Sequence, residues 1–239
     1  MKPPNFQDAE FIAAHIAETL RFYYPRAIDP TGGHYQFLLD DGTVYDRDTR
    51  HLVSSTRYVF IWANAWRRFG DAHHLGETKR ALDFLRSAHR NPQTGGYAWL
   101  LSWRDGAVAQ VLDATNHCYG LAFVLLAYAH GLRAGITDCR VWLHETWDLM
   151  ERRFWEPAHE LYADEAGPDW KLRPYRGQNA NMHACEALIA AYEATAEKQF
   201  LDRAEQVARS ITERQAALAD GLIWEHYHED WSIDWDYNR

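Results

Sequence analysis

Cysteine and methionine are scarce in this chain of 239 residues, which has three of each. Cys118, Cys139 and Cys185 are odd in number and lack the short paired spacing of a metal site, so neither a disulfide framework nor a cysteine-based metal motif is expected. Reduced thiols in a cytoplasmic protein fit that usage. Clusters of lysine and arginine are also missing. The formal net charge is -9, and phosphate backbones require a basic surface, so nucleic acid is not expected as a partner. Long apolar runs are absent too: the longest, near 121–129, falls well short of the ~20 residues that span a bilayer. Met1-Lys2-Pro3-Pro4 leads straight into polar sequence, so no signal peptide and no membrane partner are expected.

What the chain has is aromatic side chains, with 11 Trp and 13 Tyr. Such rings stack on sugars and also fill helical cores. The length suits one core, and residues 1–239 read as a single domain.

Three stretches read as helices that are apolar nearly all round and therefore buried. The first runs from Arg50 to Phe69, with Arg50, Ser54, Arg57 and Asn64 forming one polar stripe. A second opens with Asp113, Asn116, His117 and Gly120 and continues through Leu121 to Ala129. The third begins near Gln178 and places Asn179, His183 and Glu186 at i, i+4 and i+7, on one face. Met182, Cys185, Leu188 and Ile189 are expected to pack on the opposite side. A buried charge such as Arg57 must be paired or bind something. Polar strips at one end of three buried helices predict a pocket. Between these helices lie amphipathic segments, Glu77 to His89, Cys139 to Phe154 and Phe200 to Ala217, whose charged residues mark an outer face.

The two kinds of helix alternate with a repeat. Asp29-Pro30-Thr31-Gly32-Gly33-His34-Tyr35, Asn91-Pro92-Gln93-Thr94-Gly95-Gly96-Tyr97, Glu156-Pro157-Ala158-His159-Glu160-Leu161-Tyr162 and Asp220-Gly221-Leu222-Ile223-Trp224 each stop a helix and lead to an aromatic anchor. The anchors Tyr35, Tyr97, Tyr162 and Trp224 lie roughly 63 residues apart, enough for a helix pair per unit. The predicted fold class is all-α, an inner ring of helices inside an outer ring, with polar strips converging on a central cavity.

Arg50-His51-Leu52-Val53-Ser54-Ser55-Thr56-Arg57-Tyr58-Val59-Phe60 and Tyr175-Arg176-Gly177-Gln178-Asn179-Ala180-Asn181-Met182-His183 resemble the N-acylglucosamine 2-epimerase superfamily. They are most similar to its mannose and sulfoquinovose (aldose–ketose) isomerase branch. The likeness runs along essentially the whole chain, including Gly95-Gly96-Tyr97, Phe154-Trp155-Glu156-Pro157 and Trp224-Glu225-His226. It implies an (α/α)6 toroid and a cofactor-free isomerase or epimerase acting on a monosaccharide. It also implies that Arg57 is the sugar-binding arginine, that Asn179 and His183 are the pocket's Asn-x-x-x-His pair, and that His117 presents a polar group at the start of the fourth helix.

The chemistry of such a site is proton transfer. Moving a carbonyl between C1 and C2 of an open-chain sugar needs a base to take the C2 proton and an acid to return one to C1, through a cis-enediol. An imidazole, with an ordinary pKa of about 6.5, suits both tasks. His183 and Arg57 are the catalytic candidates, the guanidinium stabilising negative charge on the enediolate. Asn179, His117, Asn116, Glu186 and Trp103 are the substrate-binding candidates. No metal is required.

At roughly 63 residues per pair, six pairs need about 380 residues. The chain is therefore expected to hold the first three to four pairs, with the family's remaining acid/base histidines downstream of Arg239. An open arc of apolar inner helices favours self-association, so a homo-oligomer is among the expected partners. Glycoside hydrolysis with Asp113 and Glu186 as opposed carboxylates is an alternative. So are sugar 2-epimerisation, of N-acylglucosamine or cellobiose type, and a non-catalytic sugar-binding fragment. Glu225-His226-Tyr227-His228-Glu229 lacks a third ligand for a metal, and His73-His74 reads as solvated surface.

Overall fold

The computed structural model describes residues 4–237. Seven α-helices carry the fold: α1 (Ala9–Tyr23), α2 (Leu52–Phe69), α3 (Ala72–Phe84), α4 (Cys118–Arg133), α5 (Cys139–Arg153), α6 (Gln178–Thr195) and α7 (Lys198–Arg209). Both α3 and α7 run on into π-helical turns, Leu85–His89 and Ser210–Gln215. Helix α4 packs between α2 and α6, while α3, α5 and α7 lie against α2, α4 and α6 respectively. These are helix pairs with α2, α4 and α6 inside, the organisation of an α/α barrel.

Sequence explains why α4 is central. Cys118 and every residue from Gly120 to Gly131 are buried, and an all-round apolar helix has nowhere else to go. Two glycines let its neighbours close in. A Cβ on Gly131 would lie 2.6 Å from the Cys139 sulfur of α5, and one on Gly120 would lie 3.0 Å from Leu52 of α2. Burial pushes all three thiols up, Cys118 furthest and Cys139 to about 12, so none is a ready nucleophile. Among the described residues no helix is long and apolar enough to cross a membrane.

The repeat is visible as a recurring tie. Each inner helix is preceded by a short strand: Thr49–His51 before α2, Asn116–His117 before α4 and Arg176–Gly177 before α6. Arg50 is fully buried. It donates to the Arg47 and Thr49 carbonyls at 2.8 and 3.0 Å and to Asp29 at 2.5 Å. Arg176 donates to the Arg173 and Tyr175 carbonyls at 2.6 and 3.0 Å and holds both oxygens of Glu156 at 2.6 and 2.8 Å. Asp29 and Glu156 open the first and third aromatic turns, so each turn is pinned to the entry of an inner helix. In the intervening unit the entry of α4 is tied elsewhere, Asn116 donating an amide hydrogen to the Gly167 carbonyl at 3.1 Å, beyond the third turn.

Several expectations are corrected. Arg50 lies on a strand, outside α2, and its charge is spent on Asp29, so it is no part of the polar stripe. Arg57 is exposed rather than buried. Asp113 and Asn116 precede α4 on strands instead of opening the helix. On α6, Cys185 and Leu188 pack into the core, but Met182 and Ile189 stay 49% and 44% exposed because no element covers that side. His73 is exposed as expected, whereas His74 is buried beneath it. The stretch from Ile233 onward is irregular through Tyr237; Asn238 and Arg239, which complete that expected loop, lie outside the described residues.

Candidate active site

Helices α2, α4 and α6 enclose a cavity of about 350 Å³. Arg57, Phe60 and Ile61 come from α2, Phe123 and Leu126 from α4, and His183 and Glu186 from α6. The size is in the range of small-ligand sites, roughly 300–1,000 Å³. Its walls are apolar, and its polar groups are few and aimed.

Phe123 organises them. The Arg57 guanidinium carbon lies 5.1 Å from its ring centroid, a cation–π contact that positions the charge without consuming its N–H donors. His183 lies 4.8 Å from the same ring and 5.0 Å edge-on from Tyr119. One turn further along α6, Glu186 meets His183 Nδ1 at 2.9 Å. A carboxylate oxygen accepts, so Nδ1 carries the hydrogen of this bond. An oriented imidazole and a guanidinium thus share one apolar chamber.

A second group of rings continues from Tyr119. Trp99 lies 6.1 Å from Tyr119, 4.1 Å from His117 and 4.4 Å from His51. His51 caps α2, its Nδ1 accepting from the Val53 N–H at 3.2 Å, and His117 Nδ1 is 3.5 Å from Glu165. Burial holds both imidazoles below the ordinary histidine value. His51 is lowered further by His117 and Arg57, while Glu165 and Asp113 pull His117 the other way. Both imidazoles are accordingly neutral near pH 7.

Asp164 stands at the entry of α6. A Cβ on Gly177 would lie 3.0 Å from Asp164 Oδ2 and 2.8 Å from the Tyr175 hydroxyl, so glycine is what lets them approach. Burial, reinforced by Glu165 and opposed by the Gly177 backbone, pushes the Asp164 carboxyl up to about 7. The Tyr175 hydroxyl lies 2.7 Å from His226 Nδ1, so His226 is engaged in this cluster.

The predicted site residues therefore divide. Arg57, His183 and Glu186 share the cavity. Asn179 is exposed on the first turn of α6, one turn before His183 on the same face. Its neighbour Asn181 is buried and clamps both the N–H and carbonyl of Tyr162. His117 belongs to the adjoining ring group. Asn116 ties down Gly167 and lines a separate cleft with Arg90 and Tyr97. Trp103 is likewise removed from the cavity, packing edge-on against Phe84 of α3 and donating to Thr31 at 3.0 Å. Trp103 is buried in a small separate cluster with Phe84, Ala88 and Leu101, while Trp99, just before the strand, supplies the aromatic near the site. His51 and Asp164 were not among the candidates. The one signal for His51 was its place in the Arg50-His51 motif directly before an apolar helix.

Helix pairs around a chamber holding an imidazole, a guanidinium and aromatic walls define an α/α-barrel protein with a polar-ligand site. The sequence profile of N-acylglucosamine 2-epimerase matches residues 33–239. A D-mannose isomerase of Marinomonas mediterranea is 50% identical across 100% of this chain and 60% of its own length. Another, from Thermobifida fusca, is 36% identical over 66% of this chain and 38% of its own. The crystal structure of a D-mannose isomerase superposes with a TM-score of 0.95 at 49% identity, covering 99% of this chain and 59% of that one. A cellobiose 2-epimerase from Bacillus thermoamylovorans shares the fold, with a TM-score of 0.81 at 18% identity over 92% of this chain and 59% of its own. The chain belongs to the N-acylglucosamine 2-epimerase family. It spans 60% of the length of its Marinomonas relative.

Proposed function

We propose that this chain carries the sugar-binding half of an aldose–ketose isomerase acting on mannose or a closely similar hexose, with proton transfer at C2 through a cis-enediol. The observation that carries the reading is the Arg57–Phe123–His183–Glu186 chamber, in a chain half identical to a D-mannose isomerase. Glu186 holds the His183 ring so that Nε2 exchanges a proton with the open-chain sugar. Arg57 faces the oxygens on which negative charge develops and stabilises that charge electrostatically. Asn179, on the same face of α6, orients hydroxyls at the chamber's mouth. The reaction uses no cofactor.

The test is proton NMR of D-mannose with the protein in deuterated water. Loss of the C2 proton signal together with appearance of fructose is the expected result. Glucose with C2 exchange would move the assignment to 2-epimerisation, the activity named for the cellobiose 2-epimerase of Ruminococcus albus, 23% identical over 73% of this chain. Absence of exchange from a folded sample, together with absence of sugar binding, would overturn the reading.

A further inference from the structure

Helix α2 ends at Phe69, and Gly70 adopts a left-handed conformation with φ 76° before α3 begins at Ala72. Asp71 occupies the cap position of α3. An aspartate there ordinarily accepts an N–H from the first helical turn, but the Asp71 side chain makes no such bond. Its carboxylate is directed elsewhere. Asp71, His73 and His74 each bring one donor atom to within 4.8 Å of the others.

His74 makes this more than a surface cluster. It is 5% exposed, and its ring is stacked 5.6 Å from that of Trp62, itself fully buried on α2. Its Nδ1 is buried with no hydrogen-bond partner. Leaving a buried polar atom unpaired costs about 1–3 kcal/mol, and the fold offers this one nothing. His73 lies over it with ring centroids 4.0 Å apart and is itself flanked by Tyr24 at 4.7 Å.

We propose that Asp71, His73 and His74 form a binding site for a transition-metal dication of the zinc class, with water completing the coordination shell. Imidazole nitrogens with a single carboxylate suit Zn²⁺, Ni²⁺ or Cu²⁺, whereas Mg²⁺ and Ca²⁺ prefer all-oxygen shells. The site lies at the far end of α2 from His51. Arg57, in the proposed sugar site, lies about 18 Å from the Phe69 end of α2 at 1.5 Å per residue, so the metal has no part in proton transfer on the sugar. Its effect is to staple the α2–α3 turn and fix His74 against Trp62.

The experiment is calorimetric titration of Zn²⁺ into EDTA-treated protein, for wild type, Asp71→Asn and His73→Ala. Both substituted residues are exposed, and circular dichroism checks that each variant is folded. One saturable Zn²⁺ per chain is expected in the wild type, with affinity lowered at least ~10-fold in each variant. Zn²⁺ should also raise the thermal midpoint of the wild type and leave both variants unmoved. Lack of saturable binding in the wild type would overturn the proposal, and so would equal binding in the variants, which would assign the metal to other histidines.

Discussion

Arg50 and Arg176 differ from Arg57 in where their charge goes. The first two are buried at the entries of α2 and α6, with carbonyls and a carboxylate taking their hydrogen bonds. Arg57 is exposed to the chamber and touches only the face of Phe123 among the contacts of its guanidinium. The same side chain builds scaffold where its donors are consumed and site where they are left over. That contrast also separates Asn181, clamped to Tyr162, from Asn179, and it separates Asn116, tied to Gly167, from the chamber residues.

The largest effect should come from breaking the scaffold. Arg50→Met strands the buried Asp29 carboxylate, and removing one partner of such a pair costs about 3–5 kcal/mol; Arg176→Met should cost less, because its partner Glu156 is partly exposed and also accepts from Trp231. Arg57→Met should change stability by no more than ~0.5 kcal/mol. Urea unfolding followed by circular dichroism measures both. Similar losses at Arg50 and Arg57 would erase the distinction.

Turnover should show the reverse pattern. Arg57→Ala and His183→Ala are each expected to lower isomerisation by about 10²–10³-fold while the fold is kept. Asn116→Ala and Trp103→Phe should leave the rate constant per folded molecule nearly unchanged. Rates corrected for folded fraction make the comparison.

Asp164 is a third case, enclosed by the scaffold yet poorly compensated, with Oδ2 buried and unpaired. With its carboxyl pushed up to about 7, it stays protonated in the folded chain where the unfolded chain already ionises, above about 4. The unfolded state then binds fewer protons, so this group's contribution to stability falls as pH rises from about 4 to about 7. Asp164→Asn should abolish that slope and gain about 2 kcal/mol on wild type between pH 5 and pH 8. Parallel urea midpoints for the two proteins across that range would contradict it.

Among the chamber residues, the smallest loss of turnover is expected at Glu186. Glu186→Gln keeps an acceptor for His183 Nδ1 but removes its charge, so turnover should fall roughly threefold to tenfold. A loss matching His183→Ala would mean that Glu186 itself acts on the sugar.

The architecture was legible because periodicity and punctuation act locally. Apolar runs marked α2, α4 and α6, and the aromatic anchors marked the turns; Tyr162 pairs with Trp155 and Tyr97 bridges Arg90 as those turns require. Helical spacing put His183 and Glu186 on one face of α6, and the structure brings that face to one cavity with Arg57 of α2. What could not be read was which polar residues the fold itself consumes. The partner of Arg50 is 21 residues away and that of Asn116 is 51 away, and nothing in local spacing reveals such pairings. Trp99 and Trp103 were separable only once the fold placed one beside His51 and His117 and the other against Phe84. His51 escaped notice because a helix-capping histidine looks structural until Trp99 and His117 are seen beside it.

The most direct test of the account is a crystal structure with bound mannitol, an open-chain hexitol. The account predicts density between α2 and α6, with hydroxyls about 3 Å from the Arg57 guanidinium and from His183 Nε2. Mannitol seated instead in the Asn116 cleft or beside Trp103, with the Arg57–His183 chamber empty, would contradict it.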